Sequence, residues 1–206
     1  MSDYVYLEAR RHRGWPWHVE SAGKTPMFGE DGWCRVCGTP QREQCSDLIL
    51  QRSGLRVAGA WVPNWQFDAY CVERSLGDEI AARFGVKLRD VGWPRGGNSD
   101  VRQVVAPIVG QTWYDESSLA SAAATRHSTI GDRCPECRVW KWSPVSPSDI
   151  SGLKEEVRLL EHPVIASPQW FGGGYAAFRQ VLFKRDLAQY LASASPRDFS
   201  IEELPE

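Results

Sequence analysis

Two short cysteine motifs, WCRVCG at 33–38 and RCPECR at 133–138, constrain this chain more than any other feature. They stand far apart, with 96 residues between Cys37 and Cys134. A CxxC turn brings two thiolates within reach of one metal ion, and tetrahedral zinc takes four sulfur ligands at about 2.3 Å. If both turns serve one ion, the fold must bring two distant segments together. A long insertion is compatible with that, because the entropy of closing a loop grows slowly with its length. Gly38 permits a tight turn after Cys37, and Pro135 suits one inside CPEC, while Arg138 stands where a second glycine would be. The spacing predicts one zinc-ribbon-like structural site made by Cys34, Cys37, Cys134 and Cys137.

Other uses of the cysteines stay open. Cys45 and Cys71 could complete a local site with the first pair, or serve as small buried residues. His127 or His162 could join the second pair. Thioredoxin-like redox chemistry needs a helix starting at the motif, and Gly38-Thr39-Pro40 argues against one. His18-Val19-Glu20 followed by Cys34 and Cys37 imitates the HxE…PCxxC signature of zinc deaminases. Trp33 replaces the proline, however, and the 13 residues between Glu20 and Cys34 are too few for the helix and strand such an enzyme needs.

A closed set of four thiolates has no coordination position left for water, so the expected zinc is architectural and the chain is not expected to be an enzyme. GxSxG, HExxH and Walker patterns are missing from the sequence. The triple glycine of WFGGGYAAF (170–178) lacks a following Lys-Ser/Thr and reads as a turn or hinge on the way to the last unit. Glu20, Asp68, Glu73, Asp115 and Glu116 are carboxylates near aromatic residues, and read as surface groups.

With 206 residues the chain can bury a core of its own. No apolar run is long enough to span a membrane, and MSDYVYLEARRHR lacks the features of a signal peptide. A cytoplasmic protein with reduced thiols is the expectation. The net charge of −2 carries no broad basic footprint, so neither a membrane nor a nucleic-acid partner is expected. Arg10, Arg11, His12 and Arg13 read as a solvated surface turn. Ten tryptophans are unusual; indoles either fill cores or anchor protein interfaces.

Along the chain, residues 1–33 are poor in helix signal, and 48–63 reads as β-rich. Phe67 to Val72 suits a strand, and Ser75 with Asp78 resembles a capping box. Leu76, Ile80, Ala81 and Phe84 form one apolar face stopped by Gly85. Val86 and Leu88 begin another strand, and 101–109 a further one, blocked at Pro107. ESSLASAAATRHS and LKEEVRLLEHP predict short helices. Near the C-terminus Val181 to Phe183 suits a strand. Asp186 with Gln189 suits a cap, Leu187 and Leu191 an apolar face, and 201–204 an extended piece. VERSLGDEIA and FKRDLAQYLA share their Arg, cap, Leu and later aliphatic at matching offsets. The expected fold is therefore α+β, a mostly antiparallel sheet with two or three short helices and the four-cysteine site. It forms one domain, 1–206, with pseudo-repeated halves 1–110 and 111–206 left open.

CRVCG near the N-terminus, a second CxxC a hundred residues later and a terminal strand–helix–strand resemble the bacterial double-CxxCG motif family. The residues that carry the likeness are Cys34, Cys37, Gly38, Cys134 and Cys137. Some members of that family are described as immunity proteins against polymorphic toxins. The resemblance implies a non-catalytic, zinc-stabilised protein with a toxin domain as partner. The alternative expectation is a zinc-ribbon scaffold for nucleic-acid binding or for an enzymatic activity.

Overall fold

In the stretch YVYLEA both alternating sets, Tyr4/Tyr6 and Val5/Leu7, are bulky, which suits a strand covered on both faces. The computed structural model describes residues 3–205 and places this stretch at the centre of the fold as β1 (Tyr4–Ala9). There follow α1 (Lys24–Phe28), β2 (Leu48–Ile49), β3 (Ala60–Trp61), β4 (Cys71–Glu73), α2 (Arg74–Phe84), β5 (Leu88–Gly92) and β6 (Val101–Val104). The rest of the chain adds α3 (Glu116–His127), β7 (Gly131–Arg133), β8 (Trp140–Trp142), α4 (Glu155–Arg158), β9 (Val164–Ala166), β10 (Trp170–Phe171), β11 (Val181–Lys184), α5 (Arg185–Ala194) and β12 (Phe199–Glu202). The class is α+β as expected: among the described residues there are mostly antiparallel sheets, three α-helices of ten residues or more, and two of about one turn.

The described residues form three sheets, ordered β12-β1-β11-β9, β2-β5-β6-β4-β3 and β10-β8-β7. In the larger two, the runs β3-β4-β6-β5 and β9-β11-β1-β12 have the same antiparallel pairings. Each joins its second and fourth strands through a helix, α2 or α5. Pro63-Asn64-Trp65 follows β3 just as Pro168-Gln169-Trp170 follows β9. The third strand has a different source in each. The first sheet takes it from β6, whereas the second takes it from β1 at the other end of the chain. The N-terminal segment of the chain therefore lends its strand β1 to the sheet built by the C-terminal segment, with no strand among the described residues passing the other way.

One apolar cluster lies between these sheets, where Val5, Leu7, Val62, Tyr70, Val72, Leu76 and Ile80 meet Phe183, Leu187, Leu191 and Phe199. The outer face of the four-stranded sheet packs Tyr4, Ile165 and Leu182 on Trp113, Tyr114, Leu119, Trp142 and Ile150. The outer face of the other sheet covers Trp61, Leu48 and Val101 with Met27, Phe28 and Trp33. The Arg10–Arg13 segment is only in part a solvated turn: Arg10 and Arg11 are exposed, whereas His12 and Arg13 are half-buried. Arg11 and Arg13 converge on the buried Asp198 carboxylate at 2.8 and 2.9 Å, because a carboxylate taken out of water needs compensating charge.

Local boundaries shift where tertiary contacts outweigh propensity. The strand expected at Phe67 begins at Cys71, because Phe67 turns its ring onto His12 and Phe178 and Asp68 accepts the Arg179 backbone N–H at 3.0 Å. Helix α2 starts at Arg74, so Ser75 sits in its first turn, donating to Glu73 rather than capping. Asp186 likewise lies inside α5, where its Oδ1 accepts the Leu187 N–H. Across the seam between sheets, the buried Ser195 Oγ accepts the Ala60 N–H at 2.6 Å. Ser195→Ala should cost about 1–3 kcal/mol by leaving that N–H without a partner. Urea unfolding with an unchanged m-value and a lowered midpoint is the expected record.

Candidate metal centre

Each cysteine motif folds into the same small turn. Cys34 N–H donates to Thr39 O at 2.9 Å and Gly38 N–H to Cys34 O at 2.8 Å. One hundred residues on, Cys134 N–H donates to Val139 O and Arg138 N–H to Cys134 O, both at 3.0 Å. Gly38 and Arg138 both occupy the left-handed region, at φ 69° and 64°. The second knuckle thus has the geometry of the first, without the glycine that the geometry favours.

The two turns face each other. Cys34 Sγ lies 3.8 Å from Cys134 Sγ, and Cys37 Sγ lies 3.5 Å from Cys137 Sγ. All four sulfur atoms fall within 4.8 Å of one another. These distances exceed the roughly 2.05 Å of a disulfide. They bracket the edge of about 3.8 Å that a tetrahedron of four sulfurs at about 2.3 Å from a central ion would have. Three of the cysteines are buried and Cys137 is half-buried. The donor set and its spacing fit a metal ion such as zinc.

Electrostatics separate the four thiols. The backbone N–H of Cys137, with that of Glu136, draws the Cys134 thiol down to about 6. Burial raises Cys37 and pushes Cys137 up to about 12. Cys37 Sγ also lies 3.1 Å from the buried Thr39 Oγ1, which can donate to a thiolate there. A bound dication would stabilise the ionised form of every ligand.

The segment with the triple glycine contributes to this site, which its sequence did not announce. Tyr175 lays its backbone over the first knuckle, and its hydroxyl donates to Arg35 O at 2.8 Å. Its ring meets that of Trp33 edge-on, with centroids 5.7 Å apart. A Cβ on Gly38 would come within 2.6 Å of Tyr175 Cα, whereas Arg138 is exposed. The pair gives opposite predictions. Arg138→Gly should stabilise the metal-loaded protein by up to about 1 kcal/mol through relief of left-handed strain. Gly38→Ala should destabilise it by about 2 kcal/mol or more, from strain and overpacking together. Thermal melts of the two variants check both.

The other candidates go elsewhere. Among the described residues, the four cysteines are the one group of three or more His, Cys, Asp or Glu side chains spaced to hold a metal. Cys71 is buried within β4, where burial raises its thiol. Cys45 is exposed, its Sγ 3.4 Å from Met27 O. His127 lies against Pro144 O at 2.5 Å, and the His162 carbonyl accepts the Tyr4 hydroxyl. His18 and Glu20 are exposed and face each other at 3.3 Å. Asp115 precedes α3, Glu116 begins it, and Glu73 precedes α2.

Comparison with protein-family models, with curated proteins and with solved structures found no match. Among the described residues no helix is long and apolar enough to cross a membrane.

Proposed function

We propose that this chain is a non-catalytic protein that binds another protein, its fold stapled by one structural zinc ion at Cys34, Cys37, Cys134 and Cys137. The partner implied by the double-CxxCG resemblance is a bacterial polymorphic toxin domain, which would make the chain a cytoplasmic immunity protein. One observation carries the binding role. Trp15, Trp17 and Trp65 are 45%, 40% and 47% exposed, and they lie on adjoining loops, since Gly14 O accepts the Asn64 N–H at 3.0 Å. Val19, which opens a short 3-10 turn just after Trp17, is also exposed. Trp65 holds its indole outward from a left-handed backbone, φ 62°, a conformation that a bulky residue rarely adopts. Exposed rigid indoles grouped together are the side chains that dominate protein interfaces.

Supporting the architectural role of the zinc is the donor set itself. Four thiolates complete a tetrahedral shell, and a complete shell neither activates water nor binds substrate.

The test pairs co-expression with binding. Co-expressing the chain with a toxin-like C-terminal domain encoded beside it should restore growth, and the purified pair should co-elute. Growth unrescued and no protein captured from the native host would sink the proposal. Salt-sensitive binding to DNA or RNA would instead point to a scaffold for nucleic acid.

A further inference from the structure

Residues 12–17 tie together the two edge strands of the five-stranded sheet, β3 and β2. The Arg13 N–H reaches Val62 O, just past β3, at 3.0 Å. The Trp17 N–H reaches Ile49 O in β2 at 2.7 Å, and the Gln51 N–H reaches Trp15 O at 2.7 Å. Pro16 stands opposite Leu50 in that ladder, and both are buried. Side chains alternate along an extended segment, so Trp15 and Trp17 share the other, outward face, with their Cβ atoms roughly 6.5–7 Å apart. Among the described residues no ring contact joins them to each other or to Trp65. The two indoles are separate ridges on a fixed backbone, and a furrow of that width takes one ring at about 3.5 Å from each wall.

The backbone of this ridge gives an added β-strand nothing to pair with. Trp15 and Trp17 bond inward, so the residue facing out is Pro16, which has no N–H. Its carbonyl already accepts from Gln51 Nε2 at 3.4 Å. The side chains instead supply donors. Trp33 and Trp113 spend their indole N–H groups inside the protein, whereas those of Trp15, Trp17 and Trp65 have no acceptor among the described residues. A polyproline II segment is the complementary ligand: its carbonyls are unpaired, its prolines bring no N–H, and its shape is set before binding. Charge distinguishes the two ends of the ridge. Beyond Trp17, the Glu20 side chain is 80% exposed and faces His18 at 3.3 Å. Beside Trp15, Leu55 packs at Gly14, and the exposed Arg56 follows it. A cation on the ligand is therefore drawn to the Trp17 end and repelled from the other.

We propose that the Trp15–Trp17 ridge, with Trp65 beside it, binds a proline-rich segment of the partner protein in the polyproline II conformation, with a Lys or Arg of that segment at Glu20. Prolyl rings pack on and between the indoles, and the indole N–H groups donate to the segment's carbonyls. The inference rests on the reading of this patch as a protein interface and names what is recognised there.

The test is NMR titration of the metal-loaded full chain, read at the indole N–H signals. The probes are hexaproline peptides bearing an arginine at one end or the other, the same peptides with Gly-Ser repeats in place of proline, and cellohexaose. Saturable shifts of the Trp15, Trp17 and Trp65 signals are expected with a proline peptide, and none with the Gly-Ser peptides or the sugar. Trp17→Ala, compared on folded protein, should weaken binding about tenfold or more. Glu20→Gln alters an exposed residue, so the variant should fold, and it should weaken binding roughly threefold. Absence of saturable shifts, equal binding of the Gly-Ser peptides, binding of cellohexaose in place of the peptide, or wild-type affinity in either variant would each overturn the proposal. Co-elution of a toxin partner without any shift from the proline peptides would overturn this inference and leave the binding role standing. Peptide binding by a chain that neither rescues growth nor captures a toxin would keep the site and remove the immunity reading.

Discussion

Removal of the metal by a strong chelator is expected to lower the melting temperature of the purified chain by about 10–20 °C, as would follow from losing ~5 kcal/mol in a protein of this size. Structural zinc sites bind with apparent free energies of about 10–16 kcal/mol in zinc-finger peptides at pH 7. A domain with apolar clusters on both faces of its sheets keeps part of its fold without the ion, so the loss is a fraction of that figure. It is still of the order of the whole ~5–15 kcal/mol margin of a native domain. The damage should be local first. Without the ion, the knuckles face each other through four sulfurs, and Tyr175 loses the surface it covers.

Cys134→Ser should reproduce most of the loss, whereas Cys45→Ser, at an exposed position, should melt with the wild type. Metal uptake should also weaken as pH falls. Burial keeps Cys37 and Cys137 protonated in the metal-free fold, so binding must release protons, and acid opposes it. A purified chain free of metal with an unchanged melting temperature would contradict the architectural role.

Replacing Trp15, Trp17 and Trp65 together by alanine is expected to reduce partner affinity about 100-fold or more, measured at a temperature where the variant remains folded. Interface tryptophans at hot spots commonly contribute 2 kcal/mol or more each, without simple additivity. The same residues still bury more than half of their surface in the free protein, so the triple variant also loses stability, at roughly 25 cal/mol per Å² of apolar area uncovered, and affinity is compared on folded protein. Trp65 allows a sharper test because its backbone is strained. Trp65→Gly removes a left-handed cost of about 1–2 kcal/mol, offset in part by the flexibility that glycine gives the unfolded chain. That relief offsets part of the burial lost with the indole, so Trp65→Gly should be more stable than Trp65→Ala while binding falls as far. A variant that instead unfolds would make the indole a structural residue, and an unimpaired variant would move the interface elsewhere.

Much of this molecule is written locally. The apolar faces of α2 and α5 and the stop of α2 follow from spacing within a dozen residues, and so does each CxxC turn. Gly85, for example, closes α2 at φ 69° with its N–H on Ala81 O, as its place after Phe84 predicts. Local pattern also explains what went unseen. β7, β8 and β9 are three-residue strands, too short to show a period. β1 reads ambiguously because both of its faces are apolar. The Trp65 and Trp170 correspondence becomes visible only once β3 and β9 are known to be equivalent edge strands.

The sequence alone pointed to Cys34, Cys37, Cys134 and Cys137 as a shared ligand set with rivals left open, argued against a helix start at the first knuckle, and placed the longer helices. These depend on the chemistry and spacing of neighbouring residues. Tertiary structure decided the rest: that knuckles a hundred residues apart close on one point, that β1 completes a sheet built from the far end of the chain, and that Arg138 accepts a glycine's conformation. Each of those is fixed by contacts between segments remote in sequence, whose free energy outweighs local preference and leaves no mark on it.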